Sequence, residues 1–92
     1  MKFEWDEAKN QQNIRKHGVD FSLAKRIFEH PVLTASDNRY NYDEEREISI
    51  GLVDNILLLT VVHTDREHGT TRLISARKAT KLERKRYEKN IL

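Results

Sequence analysis

The chain has 92 residues, a net charge of +2, and a hydrophobic fraction of 37% against a charged fraction of 35%. These values predict one small domain over residues 1–92 with a thin core. Absence of cysteine excludes disulfides and thiolate chemistry, and the longest apolar run, Ile56 to Val62, is too short to cross a bilayer. Met1-Lys2-Phe3 leads straight into charged sequence, so we expect no signal peptide, a cytoplasmic location and no membrane partner.

The N-terminal part of the chain predicts a short strand followed by two helices. The strand is Phe3 to Trp5, and a polar helix runs from its N-cap Asp6 to His17, where Gly18 fits the left-handed position that ends a helix. A second helix begins after Asp20 and is closed by Pro31. Its apolar residues recur at helical spacing and should face the core: Phe21, Ala24, Ile27 and Phe28.

Four further strands are predicted, and they span Val32 to Ser36, Arg46 to Val53, Ile56 to Thr64 and Thr70 to Arg77. A polar link over Asp37 to Glu45 separates the first two, and Asp54-Asn55 forms a tight hairpin turn. The strand from Ile56 is apolar on both faces, which places it at the centre of the sheet. A last helix starts at a capping box of Thr80 and Glu83. This order predicts an α+β fold: a small antiparallel sheet with two N-terminal helices and one C-terminal helix, mainly on one face.

The positive charge is concentrated in one stretch. Arg72 to Lys89 carries +6, so the rest of the chain sums to −4. Arg77 and Lys78 fall where a strand end meets a helix N-terminus, which offers backbone donors and a positive dipole end to an anion. Such charge density repels itself without an anion, which favours a functional role for this group.

Three motifs resemble the BrnT family of bacterial toxins. They are FEWD-x2-K-x3-N-x2-KHGV-x-F near the start, EER-x4-G in the centre, and R-x-ISAR-x-A-x3-E-R-x2-Y near the end. The resemblance spans residues 3–87, and KHGV at 16–19 with ISAR at 74–77 carries most of its specificity. It implies a fold similar to RelE-type ribonucleases.

The same resemblance implies a metal-independent endoribonuclease that halts translation and needs no cofactor. It further implies a cognate BrnA-like antitoxin with a ribbon-helix-helix region. This antitoxin masks the toxin, and the pair contacts operator DNA only through the antitoxin.

Metal-free RNA cleavage uses the 2′-hydroxyl as an internal nucleophile and passes through a crowded phosphorane. Arginine suits stabilisation of that phosphorane because its planar fork binds two oxygens. Arg72 and Arg77 are the candidates, although residues five apart on an ideal strand point to opposite faces unless a bulge re-aims one. Tyr87 is a candidate proton donor or base-stacking group, and His17 and His63 are further candidates for proton transfer, because histidine is the side chain most often used for it.

Five further basic residues are candidates for binding RNA phosphates: Lys9, Arg46, Lys78, Lys81 and Arg84. Structural alternatives stand beside them. Arg46 follows Asp43-Glu44-Glu45 and can form a surface ion pair, Trp5 can belong to the core, and Tyr87 can pack the last helix onto the sheet. No metal site is predicted, because no pattern such as H-E-x-x-H occurs.

Two other classes of function remain open on the residues alone. The basic helix Lys81 to Lys89 would also suit a nucleic-acid-binding module without catalysis, or a protein-interaction module that docks an acidic partner. Salt-dependent binding without RNA shortening would indicate the first of these, whereas cleavage that survives chelation would indicate the ribonuclease.

Overall fold

A computed structural model describes residues 1–39 and 44–92, so residues 40–43 of the predicted polar link lie outside the described residues. The described elements, in chain order, are β1 (Lys2–Glu4), α1 (Glu7–His17), α2 (Phe21–Ala24) with a 3-10 turn (Lys25–Glu29), β2 (Leu33–Ser36), β3 (Glu47–Val53), β4 (Leu57–Asp65), a second 3-10 turn (Glu67–Gly69), β5 (Thr70–Lys78) and α3 (Lys81–Ile91). None of these helices combines the length and apolarity needed to cross a membrane.

The three helices begin at the caps that the sequence predicts, and α1 ends at the predicted glycine. The Asp6 carboxylate accepts hydrogen bonds from two amides of the first turn of α1, and Gly18 ends that helix at a φ of 70°. Asp20 caps α2 in the same way, and the capping box of Thr80 and Glu83 opens α3. The predicted second helix is shorter than expected, since its α-helical turn gives way to the 3-10 turn after four residues.

The strands form one five-stranded sheet in the order β1-β5-β4-β3-β2. The central position of β4 is confirmed, and Leu58 and Val61 are buried on it. Asp54 and Asn55 have φ values of 54° and 60°, the left-handed conformation that a two-residue hairpin turn requires. The sheet is mixed, because β1 pairs with β5 in parallel, so the prediction of an antiparallel sheet is wrong at this edge. No hairpin turn fixes the direction of β1; instead Phe3 is anchored by its ring contact with Phe28, 5.6 Å between centroids.

Helices cover both faces of the sheet. On one face the core residues of α2 and the following turn, such as Phe21 and Ile27, pack with Leu59 and Val61. On the other face Tyr87 of α3 packs with Ile50 and Leu58. The prediction of helices mainly on one face is therefore wrong for α3. Because β4 is apolar on both faces, each face needs its own cover.

Candidate active site

A β-bulge brings Arg72 and Arg77 to the same face of the sheet. Val62 of β4 pairs with Ser75 of β5 while His63 pairs with Leu73, so Ile74 is an extra residue on β5. As a result, Arg77 pairs with Thr60 and Arg72 with Thr64, and these two threonines lie four residues apart on one side of β4. The bulge thus re-aims one arginine, the exception that the sequence argument left open.

The two arginines do not meet at one point on that face. Their partners on β4, Thr60 and Thr64, are four residues apart, which corresponds to about 13 Å along the strand. The two guanidinium groups would therefore suit different phosphates of an RNA strand. Arg72 is half-buried, and its Nη1 donates to the Glu4 carboxylate of the neighbouring β1 at 2.5 Å.

Arg77 forms a bidentate ion pair with Glu83 at the junction between β5 and α3. Its two Nη atoms donate to the two carboxylate oxygens of Glu83 at 2.7 and 2.9 Å. Glu83 also accepts from the Thr80 amide at 2.8 Å and from the Thr60 hydroxyl at 3.0 Å. One carboxylate therefore caps α3, contacts β4 and fixes the arginine.

The electrostatics of this pair are those of a permanent ion pair. The bidentate hydrogen bonds from Arg77, helped by those from Thr80 and Thr60, lower the pKa of Glu83 to about 2 despite its burial. Hydrogen bonding to Glu83 raises the pKa of Arg77. By the sequence argument, this cluster of positive charge needs an anion, and the Glu83 carboxylate of the same chain is that anion. The charge density alone therefore does not require RNA at the site.

Glu83 does not use every donor of Arg77. A guanidinium has five N–H groups; the carboxylate takes one from each Nη, and the Lys78 carbonyl takes the other hydrogen of Nη1 at 3.3 Å. The Nε–H and the second Nη2–H remain, and these two point in the same direction. Among the described residues no hydrogen bond uses them, and the Arg77 side chain is 36% exposed. The side of Arg77 therefore offers a bidentate pair of donors to an incoming oxyanion.

Arg39 is a second cation near this site that the sequence reasoning missed. Its charge lies close enough to oppose the rise in the pKa of Arg77. The Asp37 carboxylate, whose side chain is fully buried, holds the Arg39 guanidinium through two hydrogen bonds of 2.8 and 3.0 Å. No sequence signal identifies Arg39, because its approach to Arg77 depends on the tertiary fold.

The remaining predicted residues are dispersed. Lys78, Lys81 and Arg84 are exposed around the same strand–helix junction as Arg77. Tyr87 is only 3% exposed and packs in the core beneath α3, which favours the packing role over proton transfer. His17, half-buried, ends α1, and no hydrogen bond or ion pair within residues 1–39 and 44–92 joins it to Arg77.

Lys9 and Arg46 belong to parts of the chain other than β5 and α3. Lys9 is exposed on α1. Arg46 precedes β3 and lies 3.7 Å from the Glu44 carboxylate, the ion pair that its sequence context suggested. It lines a cavity of about 870 Å³ whose described lining residues include six acidic side chains and two arginines. This cavity therefore suits a cation better than an RNA phosphate.

Asn13 supports the structure of the site. In the sequence it stands out only as one position of the N-terminal motif. Its amide nitrogen donates to the carbonyls of Val19 and Ala76 at 2.9 and 2.8 Å, and its amide oxygen accepts from the Ala76 N–H at 3.1 Å. The side chain thereby pairs with β5 where β1, which ends opposite Arg72, does not reach. Asn13 is 6% exposed and fixes the backbone immediately before Arg77.

Comparison with known proteins places this chain among toxins. Residues 5–83 match the family model described as "Ribonuclease toxin, BrnT, of type II toxin-antitoxin system". The fold is similar to the crystal structure of the Brucella abortus ribonuclease toxin BrnT, with 28% sequence identity and a TM-score of 0.65, over 88% of this chain and 99% of that chain. The comparison with curated proteins gave no match.

Proposed function

The chain belongs to the BrnT family of ribonuclease toxins of type II toxin–antitoxin systems, and from this premise we propose that it is an endoribonuclease that cuts RNA without a metal ion and thereby inhibits translation. The observation that carries the proposal is the donor edge of Arg77, which no hydrogen bond occupies within residues 1–39 and 44–92, at the basic junction of β5 and α3. We further propose that its fold is akin to that of RelE-type ribonucleases and that it acts in the cytoplasm.

In the proposed reaction the 2′-hydroxyl of the RNA attacks the adjacent phosphorus and the 5′-oxygen of the next nucleotide leaves. The Nε–H and Nη2–H of Arg77 bind two oxygens of the phosphorane, whose charge exceeds that of the phosphodiester. Glu83 holds the guanidinium in place, and a held donor costs no reorganisation during the reaction. With a pKa of about 2, Glu83 is far too weak a base to deprotonate the 2′-hydroxyl, so it acts as a positioning residue.

The other basic residues serve binding in this proposal. Lys78, Lys81 and Arg84 contact neighbouring phosphates, as does Arg72 about 13 Å along the sheet. Lys9 would contact a more distant part of a longer RNA, whereas the acidic cavity around Arg46 argues against an RNA contact there. His17 and Tyr87 remain the candidates for proton transfer. His17 is the better candidate, because the side chain of Tyr87 is buried.

The family implies an antitoxin, and the surface of α3 supports a large docking partner. Its exposed side is strongly basic, and Leu82 is 58% exposed within it. We propose a BrnA-like antitoxin with a ribbon-helix-helix region as the partner, which covers Arg77 and alone contacts operator DNA. Acidic groups on the partner would complement the helix, so their encounter should slow as salt rises.

Expression of the chain in bacteria is expected to arrest growth and protein synthesis within minutes, because cleaved messenger RNA cannot be translated. Co-expression of the adjacent gene product should restore growth. Incorporation of labelled amino acids, together with the size distribution of cellular RNA, measures both effects. Soluble accumulation of the protein with full-length messenger RNA and unchanged growth would contradict the proposal.

A further inference from the structure

Three groups that can bind metals come together where β3 begins and β4 ends. Glu47 and His63 face each other across these strands, and Asp65 follows two residues later on the same side of β4. One ligand-capable atom from each lies within 4.8 Å of the others. The His63 ring also meets the Phe28 ring edge-on at 5.1 Å, which places the group on the α2 face, opposite α3 and Arg77.

His63 has a buried nitrogen that forms no hydrogen bond with the described residues. The residue is 4% exposed, and its Nε2 lies 2.7 Å from the Ser49 hydroxyl oxygen. Its Nδ1 is buried, and within residues 1–39 and 44–92 no hydrogen bond reaches it. A buried polar atom left unpaired is destabilising and uncommon in folded proteins. Because Nε2 is engaged, Nδ1 is the nitrogen available to a ligand shared with the two carboxylates.

The hydrogen bonds behind His63 suit metal coordination. The Ser49 oxygen lies 2.8 Å from the Thr34 hydroxyl, so Ser49 can donate to Thr34 while it accepts from Nε2–H. That arrangement leaves a lone pair on Nδ1, and metal-bound histidines commonly donate their other ring N–H to an oxygen in this way. Burial lowers the pKa of His63, and the charge of Asp65 opposes the shift.

We propose that Glu47, His63 and Asp65 bind one divalent transition-metal ion, with water completing its coordination. The imidazole selects ions such as Zn²⁺ over Mg²⁺ and Ca²⁺, which prefer oxygen ligands alone. Zinc ligands at 2.0–2.2 Å lie about 3.4 Å apart in a tetrahedron, so the side chains must close in, and Asp65 is exposed and able to turn inward. Glu47 and Asp65 also line the acidic cavity, whose net negative charge attracts cations.

The role of this ion is structural. It ties the first residue of β3 to the last residue of β4, and a ligand that binds only the folded chain raises its stability. The three ligands escape sequence analysis because positions 47, 63 and 65 form no local motif and meet only through strand pairing. The site is separate from the ribonuclease surface, so its loss and the loss of RNA cleavage are distinguishable.

Calorimetric titration of the metal-free, full-length protein with Zn²⁺ tests the site, together with thermal unfolding. We expect one Zn²⁺ bound per chain and a rise in Tm of about 10–20 °C at a hundredfold excess over Kd. Mg²⁺ at the same concentration should bind at least about a thousandfold more weakly and therefore leave Tm unchanged. Absence of Zn²⁺ binding, or equal binding of Mg²⁺, would overturn the proposal.

Replacement of the two carboxylates tests where the ion binds. It avoids replacing His63, which is buried and whose substitution can disturb the fold. Glu47→Gln and Asp65→Asn keep side-chain size and should each weaken Zn²⁺ binding at least tenfold, which lowers the rise in Tm by about half or more at the same Zn²⁺ concentration. The matched control is His68→Asn, which removes a 90% exposed histidine beside Glu67, outside the three ligands. Unchanged binding in both carboxylate variants, or lost binding in the control, would show that Zn²⁺ binds elsewhere and would overturn the assignment.

Discussion

Replacement of Arg77 by alanine is expected to slow RNA cleavage about 10²–10³-fold, the usual cost of removing one preorganised donor from a developing negative charge. Lysine at this position should restore only part of the rate, because a point charge cannot bind two phosphorane oxygens through a fork. Cleavage of a defined RNA by purified variants measures the rate, and circular dichroism confirms that each variant is folded.

The ion pair with Glu83 complicates the single variant, since Arg77→Ala strands a half-buried carboxylate whose pKa of about 2 depends chiefly on that arginine. The double variant Arg77→Ala/Glu83→Gln removes the stranded charge and should regain much of the lost stability while remaining inactive. Glu83→Gln alone keeps Arg77 and should lose tenfold or less in rate. Together the three variants separate contact with RNA from support of the fold.

Two results would assign Arg77 to the structure instead. One is cleavage by folded Arg77→Ala at the parental rate. The other is recovery of cleavage together with stability in the double variant. In either case the active site would have to be sought around His17, Lys9 and Arg46.

Asn13→Ala is expected to lower the free energy of unfolding by about 2–4 kcal/mol. The substitution leaves three backbone groups without their partner, namely the carbonyls of Val19 and Ala76 and the N–H of Ala76. Each buried group left unpaired costs about 1–3 kcal/mol, and water entering the gap offsets part of the sum. The strand segment before Arg77 should loosen as well, so cleavage should fall with stability.

Urea unfolding measures this effect, and Gln12→Ala is the matched control. Gln12 neighbours Asn13 on α1 but is exposed, so its replacement by alanine should change stability by less than about 0.5 kcal/mol. If Asn13→Ala costs no more than Gln12→Ala, the side chain does not hold α1 to β5 as the hydrogen bonds indicate.

Local signals predicted the elements of the fold well. Asp6, Gly18 and Thr80 mark helix ends because caps depend on neighbouring backbone groups alone. The Asp54-Asn55 turn and the apolar run that follows it located the central strand for the same reason. Both kinds of signal act within a few residues of the chain, where sequence and structure are directly related.

What escaped prediction depends on contacts between distant residues. The parallel pairing of β1 and the position of α3 on the second face follow from tertiary packing, which no turn or cap encodes. The bulge at Ile74 decides where Arg72 points, and nothing in the strand's composition marks it. The prediction of Glu83 as a helix cap is confirmed. Its hydrogen bonds with Arg77 form only when β5 and α3 are folded together.

The most direct test of the proposed function is the chemistry of the cut ends of RNA. The purified protein is incubated with a defined RNA in excess EDTA, and the products are separated and their termini identified by mass spectrometry. Attack by the 2′-hydroxyl predicts sustained cleavage with a 2′,3′-cyclic phosphate on one fragment and a 5′-hydroxyl on the next. Intact RNA, or cleavage that stops in EDTA and returns with Mg²⁺ to leave 5′-phosphates, would contradict a metal-independent ribonuclease centred on Arg77.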